Sequence, residues 1–228
     1  MTYNIFVKCD VCGSISDLKW QVGELSKNIF RICCGKCKTL IECEVTTNNG
    51  SFNYEFKNAK EIRCIYNWID LAFFYPRQTN ILREHLNLVD KKVILCVASR
   101  WTKEKGIDTI IALAEKLAEK ERIVIVGALY SPIKWNKRVI KIEQTESLDK
   151  LAEYYSMADV FIQPSLEETF GKVSAEALAC GTPVVCFDST ANPELVGPNC
   201  GEVVRKEGGV TAMYAAIENV LKKGKEYY

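Results

Sequence analysis

Between Lys92 and the C-terminus, short apolar runs alternate with segments of helical period. The strand-like runs are Val93–Ala98, Ile123–Val126, Val139–Ile142, Val160–Gln163, Val184–Phe187 and Glu202–Val204. Several are unbroken Val/Ile stretches, as expected for parallel strands covered on both faces. After the first run, Ile107, Ile110, Ile111, Ala114, Leu117 and Ala118 form one helical stripe. Leu148, Leu151, Tyr155 and Ala158 form another. Strands alternating with helices predict an α/β fold, a Rossmann-like doubly wound parallel sheet, over residues 93–228. The N-terminal pattern is different. Thr39–Thr46 and Phe52–Phe56 are β-rich runs on either side of Asn48-Asn-Gly-Ser51, a tight-turn signal. A small β-rich module is therefore predicted for residues 1–62. Residues 63–92 read as a connector that contains Pro76 and a short helical stretch around Ile81–Leu88.

Composition narrows the class without naming a chemistry. The 228 residues are 48% hydrophobic and 26% charged, with a formal net charge of +1. That is a globular profile with room for one full domain and a smaller module. Near-neutral charge gives no reason to expect nucleic acid or an acidic membrane as partner. No apolar run approaches the ~20 residues that span a bilayer, and the start has no apolar core of a signal peptide. Eleven cysteines without such a signal point to reduced thiols, possible metal ligation and the cytoplasm.

Six of those cysteines fall within the first 43 residues. Cys9-Asp-Val-Cys12 and Cys34-Gly-Lys-Cys37 are two CxxC pairs, each able to turn tightly and present two thiolates. Two such turns complete a tetrahedral zinc site, and the arrangement resembles a zinc ribbon. Four cysteine ligands leave no open coordination position, so the zinc is expected to be structural rather than catalytic. Cys33 is an alternative to Cys34 without the two-residue spacer, and ordinary cytosolic thiols are the plainer reading.

The segment from Pro164 to Val185 carries the most specific chemistry. Glu168 and Glu176 stand seven intervening residues apart around Phe170-Gly171, with a helix expected to begin near Gly171. The first N–H groups of a helix have no intrahelical acceptor and suit a diphosphate. Carboxylates on either side could accept bonds from hydroxyls of two flanking sugars, which together suit a nucleotide-sugar. A capping acid and an exposed helical acid are the simpler alternative.

Several motifs in order resemble the C-terminal, donor-binding half of a GT-B glycosyltransferase of retaining family four. They are Ile65-Tyr-Asn-Trp-Ile-Asp70, Val97-Ala-Ser-Arg-Trp-Thr-Lys-Glu-Lys-Gly106, Tyr154-Tyr-Ser-Met-Ala-Asp-Val-Phe-Ile-Gln-Pro-Ser165, the glutamate segment, and Phe187-Asp-Ser-Thr-Ala-Asn-Pro-Glu-Leu-Val196. The resemblance implies that Arg100 and Lys105 hold the donor diphosphate, with Phe170 and Gly171 adding backbone N–H groups. It implies that Glu176 binds the ribose and that Glu168, the candidate catalytic residue, contacts the sugar near the reacting carbon. Thr190 and Glu194 would line the same crevice, unless they simply belong to a Pro-started helix. Ser99 departs from the family's usual Gly. Ala128-Leu-Tyr-Ser-Pro132 replaces its acidic, Gly-rich turn, so the base is not assigned.

The same resemblance places the acceptor site on an N-terminal Rossmann-like domain, and here the cysteine-rich module stands in that position. The sequence ends at Lys222-Lys-Gly-Lys-Glu-Tyr-Tyr228, where the family's returning helix would begin. The expectation is a donor half that binds a nucleoside-diphosphate sugar without a catalytic metal. An acceptor domain would come from a partner chain or a homodimer mate. The alternative is a non-catalytic nucleotide-sugar-binding module, or an interaction module built on the zinc ribbon.

Overall fold

The structure is a computed structural model that describes residues 2–9, 11–12, 15–21, 29–33, 36–37, 40–48, 51–57, 59–64, 68–129, 133–145, 147–168 and 170–228. It divides into two compact units, Met1–Asn67 and Trp68–Tyr228. The described residues of the first unit lie in strands and turns. Strands β1 (Thr2–Cys9), β2 (Ile15–Gln21), β3 (Ile29–Cys33), β4 (Leu40–Asn48), β5 (Ser51–Lys57) and β6 (Ala59–Cys64) form two three-stranded antiparallel sheets, β2-β1-β6 and β3-β4-β5. Strands β4 and β5 pair in antiparallel register up to Asn48 opposite Ser51.

The second unit runs α1 (Asn80–His85), β7 (Lys92–Arg100), α2 (Ile107–Lys116), β8 (Glu121–Ala128), β9 (Val139–Ile142), α3 (Leu148–Met157), β10 (Val160–Gln163), α4 (Lys172–Ala179), β11 (Val184–Phe187), α5 (Asn192–Leu195), β12 (Gly201–Val204) and α6 (Gly209–Lys223). All six strands expected from the Val/Ile runs are present. They form one parallel sheet in the order β12-β11-β10-β7-β8-β9. The chain starts in the middle with β7, winds outward to β9, then returns to β10 on the other side of β7. This is a doubly wound topology, with its switch point between β7 and β10.

Period-two alternation divides the core between the sheet's two faces. Ile94, Cys96 and Ala98 of β7 join Ile110, Leu113, Ile123, Ile125, Met213, Ile217 and Val220 in one cluster with α2 and α6. Val93, Leu95 and Val97 join Val124, Val126, Tyr155, Met157 and Phe161 in the other. The connector contributes to this second layer, since Phe74, Leu82 and Leu88 are buried in it. Two stripe positions read from the sequence, Ala118 and Leu148, are exposed. Leu148 begins α3 right after its cap, Ser147, whose hydroxyl accepts from the Lys150 N–H. Among the described residues, no helix is long and apolar enough to cross a membrane.

Candidate functional site

In doubly wound sheets ligands settle at the carboxyl ends of the strands beside the switch point. Here the ends of β7 and β10 open on a cavity of about 150 Å³. Val97, Ala98, Ser99 and Trp101 line it from β7 and its exit. Gln163 and Ser165 line it from β10, Glu168 from the following loop, and Lys105, Lys172 and Val173 from the starts of α2 and α4. Pockets for drug-sized ligands measure roughly 300–1,000 Å³. The cavity is smaller than that, a size that suits one part of such a ligand rather than the whole.

Local backbone geometry sets these walls. The β7–β8 register slips between Val97 and Arg100, a bulge at the end of the central strand. Trp101 is anchored there: its Nε1 donates to Val126 O at 3.0 Å and its N–H to Ala128 O at 3.0 Å. Trp101 is thus a packed residue, 6% exposed, at the cavity edge. Gly171 is the left-handed N-cap of α4 (φ 77°), and no side chain caps that helix. Its first-turn donors stay available to an anion.

The ion pair at the centre joins residues 63 positions apart. Lys105 Nζ lies 2.6 Å from Glu168 Oε1. Gln163 Nε2 donates to the same oxygen at 2.9 Å. Thr190 serves the Glu168 backbone on both sides: its Oγ1 accepts from Glu168 N–H at 2.7 Å and donates to Glu168 C=O at 2.6 Å. Thr190 has φ +48°, a conformation unusual for a β-branched residue and one that costs on the order of 1–3 kcal/mol. Those two bonds hold it there, and they fix the loop that carries Glu168.

Glu176 sits within α4, one turn past Lys172 and apart from the cavity-lining residues. It is 5% exposed, and its Oε2 accepts from the Tyr155 hydroxyl at 2.8 Å. Lys172 Nζ stands 3.7 Å from Oε1. Burial pushes the Glu176 carboxyl above its ordinary value, against the Tyr155 hydrogen bond and the Lys172 charge. Burial, with the adjacent Glu176 charge, likewise pushes the Tyr155 phenol far up.

The structure thus brings Lys105 and Glu168 into direct contact and places Gly171 as the helix cap. Phe170 is buried just before that cap, and Arg100 is exposed as the last residue of β7. Sequence reasoning missed Gln163, Ser165 and Lys172 on the cavity wall, and Tyr155 behind Glu176. Glu194 lies in α5, which has Pro at its start. Of the cysteine set, Cys9 is described by backbone alone and Cys34 lies outside the described residues, while Cys12 and Cys37 are half-buried in turns. Among the described residues, no group of three or more His, Cys, Asp or Glu could hold a metal ion.

Residues 91–223 match the profile of the family described as Glycosyl transferases group 1. The chain belongs to this family. Among curated proteins, it is similar to the D-inositol 3-phosphate glycosyltransferase of Xylanimonas cellulosilytica, 37% identical over 136 residues, covering 51% of this chain and 32% of that protein. Two solved structures share the fold. Anabaena HepE in complex with UDP-glucose superposes with a TM-score of 0.59 at 20% identity, covering 70% of this chain and 49% of that one. The C-terminal domain of the group 1 glycosyl transferase LpcC from Francisella tularensis gives 0.56 at 19% identity, covering 68% and 88%. The group 1 glycosyl transferase chain spans less than half the length of its curated relatives, between 32% and 47% of the first four. The LpcC structure is itself a C-terminal domain, and this chain covers 88% of it.

Proposed function

We propose that this chain binds a nucleoside-diphosphate sugar and serves as the donor half of a retaining glycosyltransferase. The acceptor site would come from a partner chain or a homodimer mate. The observation that carries the reading is the Lys105–Glu168 pair in a cavity at the switch point, beside a helix start that no side chain caps. A cation and first-turn N–H groups suit the charge that grows on a departing diphosphate. A carboxylate at the same cavity suits the sugar's hydroxyls. Arg100, Phe170 and Gly171 would add contacts to the diphosphate, and Glu176 would accept from the ribose. Thr190 would act through Glu168. HepE is a protein of the same fold whose structure holds UDP-glucose, which supports the class of ligand while leaving this chain's base and sugar to be measured.

Thermal-shift titration with UDP-glucose, GDP-mannose and ADP-glucose tests the proposal. A ligand at a hundred times its Kd adds about 2.7 kcal/mol, or about 5–11 °C in Tm for a chain of this size. At least one donor is expected to produce such a shift. No shift with any of them at several millimolar sinks the reading. Binding without transfer or hydrolysis supports the non-catalytic alternative.

For the N-terminal unit, we propose a structural zinc held by Cys9, Cys12, Cys34 and Cys37. β1 ends at Cys9 and β2 starts at Ile15, with Val11–Cys12 in a turn. β3 ends at Cys33 and β4 starts at Leu40, with Lys36–Cys37 in a turn. Cys9 thus ends β1 with Cys12 in the turn after it, and Cys37 lies in a turn between β3 and β4, positions that suit zinc knuckles. Thiol-rich chains of this kind fit a reducing compartment such as the cytoplasm. Elemental analysis of the purified full chain is expected to find about one zinc per chain, with loss of stability on chelation. Metal-free protein of unchanged stability rules the site out.

A further inference from the structure

The cavity wall contains polarity that phosphate binding does not explain. β10 reads Val160, Phe161, Ile162 and then Gln163, all buried, so the central strand ends in an amide where an apolar side chain would pack as well. Gln163 is 3% exposed. Two residues on, Ser165 is 1% exposed and its Oγ has no hydrogen-bond partner among the described residues. A buried hydroxyl left unpaired costs about 1–3 kcal/mol, and such groups are rare enough in native proteins to require a reason. Both residues line the cavity with Glu168.

Glu168 is held asymmetrically. Lys105 and Gln163 both donate to Oε1, and no hydrogen bond among the described residues ends on Oε2. One oxygen is saturated while the other remains an acceptor. Gln163 reaches Glu168 from the rigid strand side, so it fixes the carboxylate plane in a way that a lone flexible lysine does not.

We propose that Gln163 and Ser165 are the residues that read the sugar of the donor. Gln163 positions Glu168 through Oε1, so that Oε2 accepts from one sugar hydroxyl. The Ser165 hydroxyl, which can donate and accept, pairs with a neighbouring one. The cavity then holds a single hexose ring with free hydroxyls, while the nucleotide lies outside it on the open surface. This rests on the nucleoside-diphosphate sugar reading above and adds which residues discriminate the sugar from the rest of the ligand.

The test compares each nucleotide with and without its sugar. The full chain and its Gln163→Leu and Ser165→Ala variants are titrated calorimetrically with UDP and UDP-glucose, GDP and GDP-mannose, ADP and ADP-glucose. Leucine fills the glutamine's space, and loss of the Ser165 hydroxyl removes an unpaired buried group, so both variants are expected to fold. For whichever pair the unsubstituted chain binds, the variants should hold the bare nucleotide within about twofold. The nucleotide-sugar should weaken by about tenfold or more in Gln163→Leu and by about threefold to tenfold in Ser165→Ala, as hydrogen bonds to charged and neutral partners imply. Equal losses for nucleotide and nucleotide-sugar would make Gln163 merely structural and overturn the proposal, as would unchanged affinity for both. If the unsubstituted chain binds none of the six compounds, the donor reading falls and this one with it. Normal donor binding that is indifferent to both substitutions removes this proposal alone.

Discussion

Gly106→Ala is expected to destabilise the second unit by about 3 kcal/mol or more, lowering Tm by roughly 6–12 °C for a chain of this size. Two effects add. Gly106 caps α2 in the left-handed region, with φ 79° and ψ 28°, and a residue with a Cβ is disfavoured there by about 1–2 kcal/mol. A Cβ at this position would also lie 2.2 Å from Pro164 O and 2.7 Å from Pro164 C. Both are backbone atoms, so no side chain can swing away, and forced backbone shifts typically cost 1–3 kcal/mol. Gly171→Ala is the control. It has nearly the same φ, 77°, but its Cβ would meet only side-chain atoms, Leu195 Cδ1 at 3.2 Å and Asn192 Oδ1 at 3.4 Å. The difference between the two variants in urea unfolding isolates the close approach of α2 to the exit of β10. If Gly106→Ala loses no more than Gly171→Ala, that approach is not rigid.

The same approach explains how two distant motifs become one site. The β10 exit that presses on Gly106 carries Gln163 on one side of Pro164 and Ser165 on the other. Lys105 precedes Gly106 directly and reaches Glu168 at 2.6 Å. A glycine required by backbone contact thus places the cation against the carboxylate, and a shift at Gly106 would reach the cavity as well as the core.

The parts of the fold that were legible in the sequence are those that local pattern dictates. The six parallel strands announce themselves because buried strands need apolar residues on both faces. The turn at Asn48–Ser51 announces its hairpin by residue type. Helix α6 was equally readable, since Met213, Ala216, Ile217 and Val220 carry its apolar stripe, yet only its last residues figured in the sequence reading, as a chain end. What the sequence hides is adjacency made by the fold. Gln163 looks like the end of an apolar strand until β10 sets it beside Glu168, and Tyr155 looks like one more core aromatic. Its ring does pack edge-on against Phe74 and Phe161. Its hydroxyl, however, ends on Glu176, 21 residues away. Thr190 was legible as a polar residue near the crevice, but its bonds to the Glu168 backbone depend on a positive φ that no pattern in the sequence signals.

Glu176→Gln is expected to move stability and ligand affinity in opposite directions. The carboxyl is pushed above its ordinary value chiefly by burial, so the folded state holds its proton more tightly than the unfolded chain. A raised carboxyl favours folding fully only below the unfolded value, and that contribution is lost as pH rises through the folded one. At neutral pH the buried carboxylate is therefore a burden on the fold. Glutamine keeps the shape and an acceptor for the Tyr155 hydroxyl without the charge, so the variant should unfold at a higher temperature at pH 7. Each kcal/mol relieved appears as about 2–4 °C, and the gain should shrink as pH falls into the carboxylate range. Donor binding should fall by about tenfold or more, because hydrogen bonds to a charged acceptor contribute about 1.5–3 kcal/mol. A residue kept only for structure would not show this pairing. Lower stability together with unchanged donor affinity would assign Glu176 to the core and remove it from the site.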